Sequence, residues 1–200
     1  SDLESTLTAR LMLDSAHGNI TLGIDAKRLV DVLKEFAEQP LTFNIDDDTL
    51  KIDINSENGK YSLMGVNAED FPQVPILSAE KYSSIAIQPD VLYTGISSTL
   101  FATAHDELRP VMNGILVELG TEATNFVATD AHKLVRYRRT DVTVESPDKF
   151  ILPQKPAAIL KNILPKADSE VKLEFDNKNA FFSFGDYQRS EEHTSELQSH

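Results

Sequence analysis

Asp130 and His132 stand two positions apart in the run Ala128-Thr129-Asp130-Ala131-His132-Lys133-Leu134, a spacing that invites acid–base chemistry because a carboxylate can orient an imidazole. In an extended strand, however, residues i and i+2 share a face without usually meeting head on. A turn aspartate that satisfies backbone amides, beside a surface histidine, is the simpler reading. Asp46-Asp47-Asp48 could gather a cation, but three carboxylates between two apolar runs fit a solvated hairpin turn better. His17, His105 and His132 show no metal-ligand spacing. The eight glycines form neither a GxGxxG nor a Walker pattern, and the absence of cysteine excludes disulfides and thiolate sites. The residues point to no catalytic group, no metal and no cofactor. A hydrolase using Asp130 and His132 and a peptide-binding adaptor remain as alternatives.

Patterning places the elements that must hold these residues. Leu29, Val32, Leu33 and Phe36 fall at i, i+3, i+4 and i+7, which predicts a helix over residues 25–39 with Asp25 as N-cap. Lys27, Asp31 and Lys34 lie along its other face. Three strands should follow: residues 41–45, a turn at 46–48, residues 50–54, an Asn58-Gly59 hairpin signal, and residues 60–64. The plan recurs downstream. Residues 153–164 read as a helix, with Pro156 tolerated near its first turn, before strands at 171–175 and 181–184. Between these copies, a helix over residues 89–102 carries Leu92, Ile96 and Thr99 on one stripe. Strands at 115–119, 125–129 and 134–137 follow it. Each helix precedes a meander of strands, an α+β design with helices on one sheet face. Residues 71–82, with Pro72 and Pro75, read as a linker.

The chain also repeats itself. Asp2 and Asp130 are 128 positions apart, as are Lys27 and Lys155, and Val32-Leu33-Lys34 answers Ile159-Leu160-Lys161 at a spacing of 127. Matches at offsets of 127 and 128 suggest a duplicated domain.

Residues 109–137, with Met112-Asn113-Gly114-Ile115 ahead of Val127-Ala128-Thr129-Asp130-Ala131-His132-Lys133-Leu134, resemble the middle domain of the bacterial beta sliding clamp family, the processivity subunit of the replicative DNA polymerase. Asn67-Ala68-Glu69-Asp70-Phe71-Pro72 resembles the end of that family's first domain. The resemblance covers residues 1–188 and departs at Ala131, where many relatives carry glycine; on the sequence alone this is a mild change. It implies an α+β DNA-clamp fold of repeated helix-plus-antiparallel-strand half-units. Residues 1–76 would be the C-terminal part of clamp domain one, and residues 77–188 an incomplete domain two. It implies a non-catalytic DNA replication processivity factor whose head-to-tail dimer encircles duplex DNA without sequence preference.

The same resemblance assigns surfaces. Met112, Thr129, Ala131, His132, Lys133 and Leu134 would form part of a groove for short linear motifs of the replicative polymerase, clamp loader and repair proteins. Apolar walls from Leu134 and the pliable Met112 suit hydrophobic anchors, and His132, Lys133 and Thr129 would supply rim donors. Lys27, Lys34, Lys155 and Lys161 would face DNA; Lys27 and Lys34, seven apart, share one helix face. Arg28, Val32, Lys60, Tyr61 and Leu63 would lie at the homodimer boundary, where an exposed strand edge continues into its partner.

Residues 189–200 match what a common sequencing adapter encodes in frame and are set aside as a non-native tail. Without a starting methionine, the chain reads as a gene fragment, too short to close a ring or to bind motif peptides strongly. Its net charge is −13; the tail's one Arg and three Glu supply −2, leaving −11. A protein gripping DNA by counterion release is normally basic. A ring is retained by topology, and an acidic exterior suppresses non-specific sticking. Composition is ordinary for a globular cytoplasmic protein: 40% hydrophobic and 26% charged, with no apolar run near the ~20 residues that span a bilayer.

Overall fold

The computed structural model describes residues 5–71, 82–106, 108–176, 178–185 and 187–192. The chain divides into two units, Met12–Gln73 and a larger one that joins Ser1–Leu11 to Val74–His200. Its first strand, β1 (Ser5–Ala9), belongs to the larger unit.

The smaller unit contains β2 (Leu22–Gly23), α1 (Ala26–Lys34), β3 (Thr42–Ile45), β4 (Lys51–Asn55), β5 (Lys60–Met64) and β6 (Val66–Asn67). Asp25 caps α1, its Oδ1 accepting the Arg28 N–H at 2.8 Å. Strands β3, β4 and β5 form an antiparallel meander in that order, and β2 pairs with β6. The Asp46–Asp48 segment is a hairpin turn in which Asp46 Oδ1 accepts the Thr49 N–H at 2.8 Å and the Thr49 hydroxyl at 2.7 Å. Two expectations are corrected. The helix stops at Lys34, not residue 39, because the chain tightens into bonds from Glu35 N to Val32 O and Phe36 N to Leu33 O. Phe36 then turns to meet Tyr61 edge-on, with ring centroids 5.8 Å apart. The apolar stripe of α1 is also less buried than its spacing predicts: no α1 residue is buried, and β3 is exposed along its length. Among the described residues of this unit, Ile52 and Ile54 of β4 alone are buried, since a nine-residue helix and three short strands offer little surface to enclose.

The larger unit contains two copies of one plan. The first is β7 (Ser83–Ile87), α2 (Pro89–Thr99), β8 (Gly114–Leu119), β9 (Thr124–Thr129) and β10 (Leu134–Arg139). The second is β11 (Asp148–Pro153), α3 (Gln154–Ile163), β12 (Val171–Phe175), β13 (Asn179–Phe184) and β14 (Tyr187–Glu192). All pairings are antiparallel, in sheets ordered β1-β14-β13-β12-β7 and β10-β9-β8-β11. The copies interlock by exchanging their lead strands: β7 pairs with β12 of the second copy, and β11 with β8 of the first. Neither half can therefore complete its sheet alone.

One core joins both halves. Val91, Leu92 and Ile96 of α2, Ala157 and Leu160 of α3, and Phe126, Phe150, Leu173 and Phe182 of the strands are all buried in it. Each large apolar side chain contributes about 1.5–3 kcal/mol by leaving water. Thr99 joins the buried stripe because its hydroxyl donates to Gly95 O at 2.7 Å. Gly95 itself is required by close approach: a Cβ there would lie 2.7 Å from the Phe126 ring.

Helices and meanders fall where the patterning puts them, with α2 extended by a 3-10 turn over Leu100–Ala102 and α3 by another over Leu164–Lys166. The strands β1, β2, β6, β7, β11 and β14 were not expected. The proposed linker falls largely on residues 72–81, and Asp2 of the repeat likewise lies outside the described residues. β14 takes in residues 189–192 of the tail set aside above; its main chain pairs with β13 and β1, an interaction any side chain permits.

Candidate functional site

Asp130 builds the turn between β9 and β10, whose flanking residues Thr129 and Leu134 pair across the hairpin. Its Oδ1 accepts the backbone N–H groups of His132 at 3.0 Å and Lys133 at 2.9 Å, and its Oδ2 pairs with Lys133 Nζ at 2.7 Å. The Lys133 ammonium, followed by these two amides, holds the Asp130 carboxyl well below the usual carboxylate range. The carboxylate thus grips the His132 backbone, while the His132 residue is exposed. The arrangement is a structural turn; it does not assemble an acid–base dyad.

Two expectations at this turn need correction. Thr129 Oγ1 donates to Lys133 O at 2.8 Å and accepts the Ala131 N–H at 3.2 Å, so its donor is used within the loop. Lys133 Nζ spends one of its three N–H donors on Asp130 at 2.7 Å and stays exposed, so it keeps donors for the rim that Thr129 does not. Ala131 has φ +73°, in the left-handed region that favours glycine. A methyl group there is not mild: the conformation costs an L-residue about 1–2 kcal/mol.

Leu134 is 68% exposed, which removes it from the core, and Met112 is half-buried in a 3-10 turn over Pro110–Met112. The register Leu116↔Val127 brings the start of β8 level with the end of β9. Met112, two residues before β8, therefore emerges at the same end of the sheet as the Asp130 turn. The loop before it is cross-linked: Asp106 N–H donates to Asn113 Oδ1, Asn113 Nδ2 donates to Asp106 O, and Arg109 pairs with Asp106 at 2.7 Å. Sequence reading passed over Arg136 and Arg138, exposed alternate residues of β10, although the period-two spacing was available as a signal.

The four lysines divide. Lys27 and Lys155 occupy the same place, the second residue of α1 and of α3, and both residues are exposed. A helix N-terminus disfavours a cation, so the macrodipole accounts for neither position. Lys34 is exposed in the last turn of α1. Lys161 is half-buried in the last turn of α3; the macrodipole favours a positive charge there as it does at Lys34, so its lower exposure is what sets it apart.

In the smaller unit, β5 is an edge strand. Tyr61 and Leu63 pair with Ile54 and Ile52 and so share their sheet face, whereas Lys60 and Ser62 lie on the opposite face with Asp53. Lys60 Nζ is 2.7 Å and Lys51 Nζ 3.1 Å from the Asp53 carboxylate, to which Ser62 Oγ also donates. Lys60 above all holds that carboxyl well below its ordinary range. Arg28 is exposed and Val32 half-buried on α1. Among the described residues, no cluster of three or more His, Asp or Glu could hold a metal, and no helix is long and apolar enough to cross a membrane.

Two family models match this chain: DNA polymerase III beta subunit, central domain, over residues 86–193, and DNA polymerase III beta subunit, N-terminal domain, over residues 1–75. The chain belongs to the DNA polymerase III beta subunit family. It is 29% identical over 175 residues to the beta sliding clamp of Pseudomonas aeruginosa, covering 86% of this chain and 47% of that protein. With the beta sliding clamp of Synechocystis it shares 31% identity over 137 residues, 66% of this chain and 33% of that one. A solved sliding clamp from P. aeruginosa with ligand superposes with a TM-score of 0.88 at 23% identity, over all of this chain and 54% of the other. The sliding clamp from Bacillus subtilis gives 0.83 at 19%, over all of this chain and 54% of the other. The fold is the α+β clamp fold, and the chain spans a third to a half of the length of these curated relatives.

Proposed function

We propose that the chain serves as part of a non-catalytic replication processivity clamp, a cytoplasmic ring-shaped dimer that encircles duplex DNA and tethers the polymerase and other motif-bearing partners. Family membership carries this reading, and the repeated half-unit supports it, since a ring needs one module used again and again. The DNA-facing side is assigned to the helices, through Lys27, Lys34 and Lys155. The matching positions of Lys27 and Lys155 support that choice. Hydrated ammonium groups on long stems hold no register on phosphates, which suits sliding.

Met112 and Leu134 serve as apolar walls of the motif-binding groove, His132 as its exposed polar rim, and Thr129, Asp130 and Lys133 as the scaffold of the turn. Closure of the dimer uses the β5 edge, with Tyr61 and Leu63 on one face, Lys60 on the other, and Arg28 and Val32 on α1. The test is retention on DNA by a chain of the relatives' full length, loaded by its clamp loader. It should stay on circular duplex and be lost once that duplex is linearised. Equal retention on both would refute encirclement.

A further inference from the structure

Residues 133–139 hold four cations in a chain of net charge −13. The fold neutralises two of them. Lys133 is paired with Asp130, and the Arg139 guanidinium brackets Asp141 through Nε at 2.7 Å and Nη2 at 2.6 Å. The other two, Arg136 and Arg138, alternate with Leu134 along the outward face of β10, while Val135 and Tyr137 pack toward the core. Alternate residues of a strand lie about 6.8 Å apart, so Leu134, Arg136 and Arg138 make a row of about 14 Å. Among the described residues Arg138 reaches one carboxylate, that of Glu122, at 3.8 Å from a side chain that is 88% exposed, a pair of little strength. Among the described residues no carboxylate lies within ion-pair distance of Arg136. Its neighbours across the sheet are Val127 and then Leu116.

We propose that this outward face of β10 binds an extended acidic peptide segment, with an apolar side chain on Leu134 and alternate carboxylates on Arg136 and Arg138. An extended peptide repeats its side chains at the spacing of the row, and a guanidinium fork donates two parallel hydrogen bonds to a carboxylate. Nucleic acid fits less well. Two guanidinium groups release few counterions, and the acidity of the whole chain repels a polyanion. A peptide with two carboxylates meets two weakly paired guanidinium groups and an exposed leucine, with Glu122 beside Arg138 and Glu118 two strands across from it. The surface adjoins the proposed groove at Leu134 but depends on the arginines, which that groove does not use.

The test uses the chain itself and two labelled peptides, Leu-Thr-Glu-Thr-Glu and Leu-Thr-Gln-Thr-Gln, titrated by fluorescence anisotropy. The glutamate peptide should bind roughly tenfold more tightly at low salt, the scale of two exposed ion pairs. That advantage should vanish in the R136Q/R138Q variant and at about 0.5 M salt, where screening is nearly complete beyond contact. It should persist in K166Q/K178Q, which removes the same charge from exposed sites elsewhere in the unit. Equal affinity of the two peptides, no binding by either, or an advantage that survives R136Q/R138Q would overturn the proposal. So would a thymidine oligonucleotide that binds more tightly than the glutamate peptide and is lost in R136Q/R138Q, which would make the surface a nucleic-acid contact.

Discussion

Replacing Ala131 by glycine should stabilise the larger unit, contrary to the usual sense of an alanine-to-glycine change. At φ +73° the Cβ crowds its own backbone, which costs about 1–2 kcal/mol that glycine does not incur. Glycine also widens the unfolded ensemble, which opposes the gain by about 0.4–1 kcal/mol. The Ala131 residue is exposed, so no packing is lost. The turn bonds from Thr129 and Asp130 are made to backbone amides that glycine keeps. The balance is a stabilisation of about 0.5–1 kcal/mol, or a rise of roughly 2–4 °C in melting temperature for a domain of this size. Urea unfolding followed by circular dichroism would measure it, with Ala157→Gly as the opposing control. Ala157 is buried in α3, and glycine there should cost at least about 1 kcal/mol. If Ala131→Gly lowered the urea midpoint or left it unchanged, the argument from the left-handed turn would be wrong.

Gly95→Ala should destabilise by about 1–2 kcal/mol in the same assay despite alanine's better helix propensity, because the new methyl would strike the Phe126 ring. Acid should weaken the fold through its paired aspartates. Their folded pKa values are depressed, that of Asp141 to about 2 by Arg139 and that of Asp130 by Lys133, so the stability they add is present above the unfolded value of about 3.9. It should be lost as pH falls from about 4 to 2, and an Asp130→Asn/Asp141→Asn variant should show a flatter urea-midpoint profile across that window. Leu134→Ala should leave thermal stability within about 0.5 kcal/mol, since the side chain is largely exposed, while calorimetry on a chain of full clamp length should show motif-peptide binding strongly weakened. Unchanged peptide affinity would remove Leu134 from the groove.

The sequence by itself determined the elements that local chemistry controls. The 3.6-residue spacing of Leu92, Ile96 and Thr99 marked α2, and the period-two alternation of residues 50–54 marked β4. Turn aspartates marked the hairpins at Asp46 and Asp130, each accepting backbone amides two or three residues on. The 128-residue echo marked a repeat, and Lys27 and Lys155 stand at the same position of α1 and α3. The motif from Thr129 to Leu134 was legible as one local unit because a hairpin turn is made by neighbours.

Long-range pairing was not legible. β7 and β11 pair with β12 and β8 in the opposite half of the unit, and no local pattern encodes that exchange. The depth of burial was likewise a tertiary matter. The same apolar periodicity leaves α1 without a buried residue and gives α2 five, since burial depends on the surface a helix meets as well as on the stripe it carries. The strain at Ala131 and the internal use of Thr129 and Lys133 also emerged only in three dimensions. A residue's name gives its hydrogen-bonding capacity, but φ and the direction of each bond are set once β9 and β10 are held side by side.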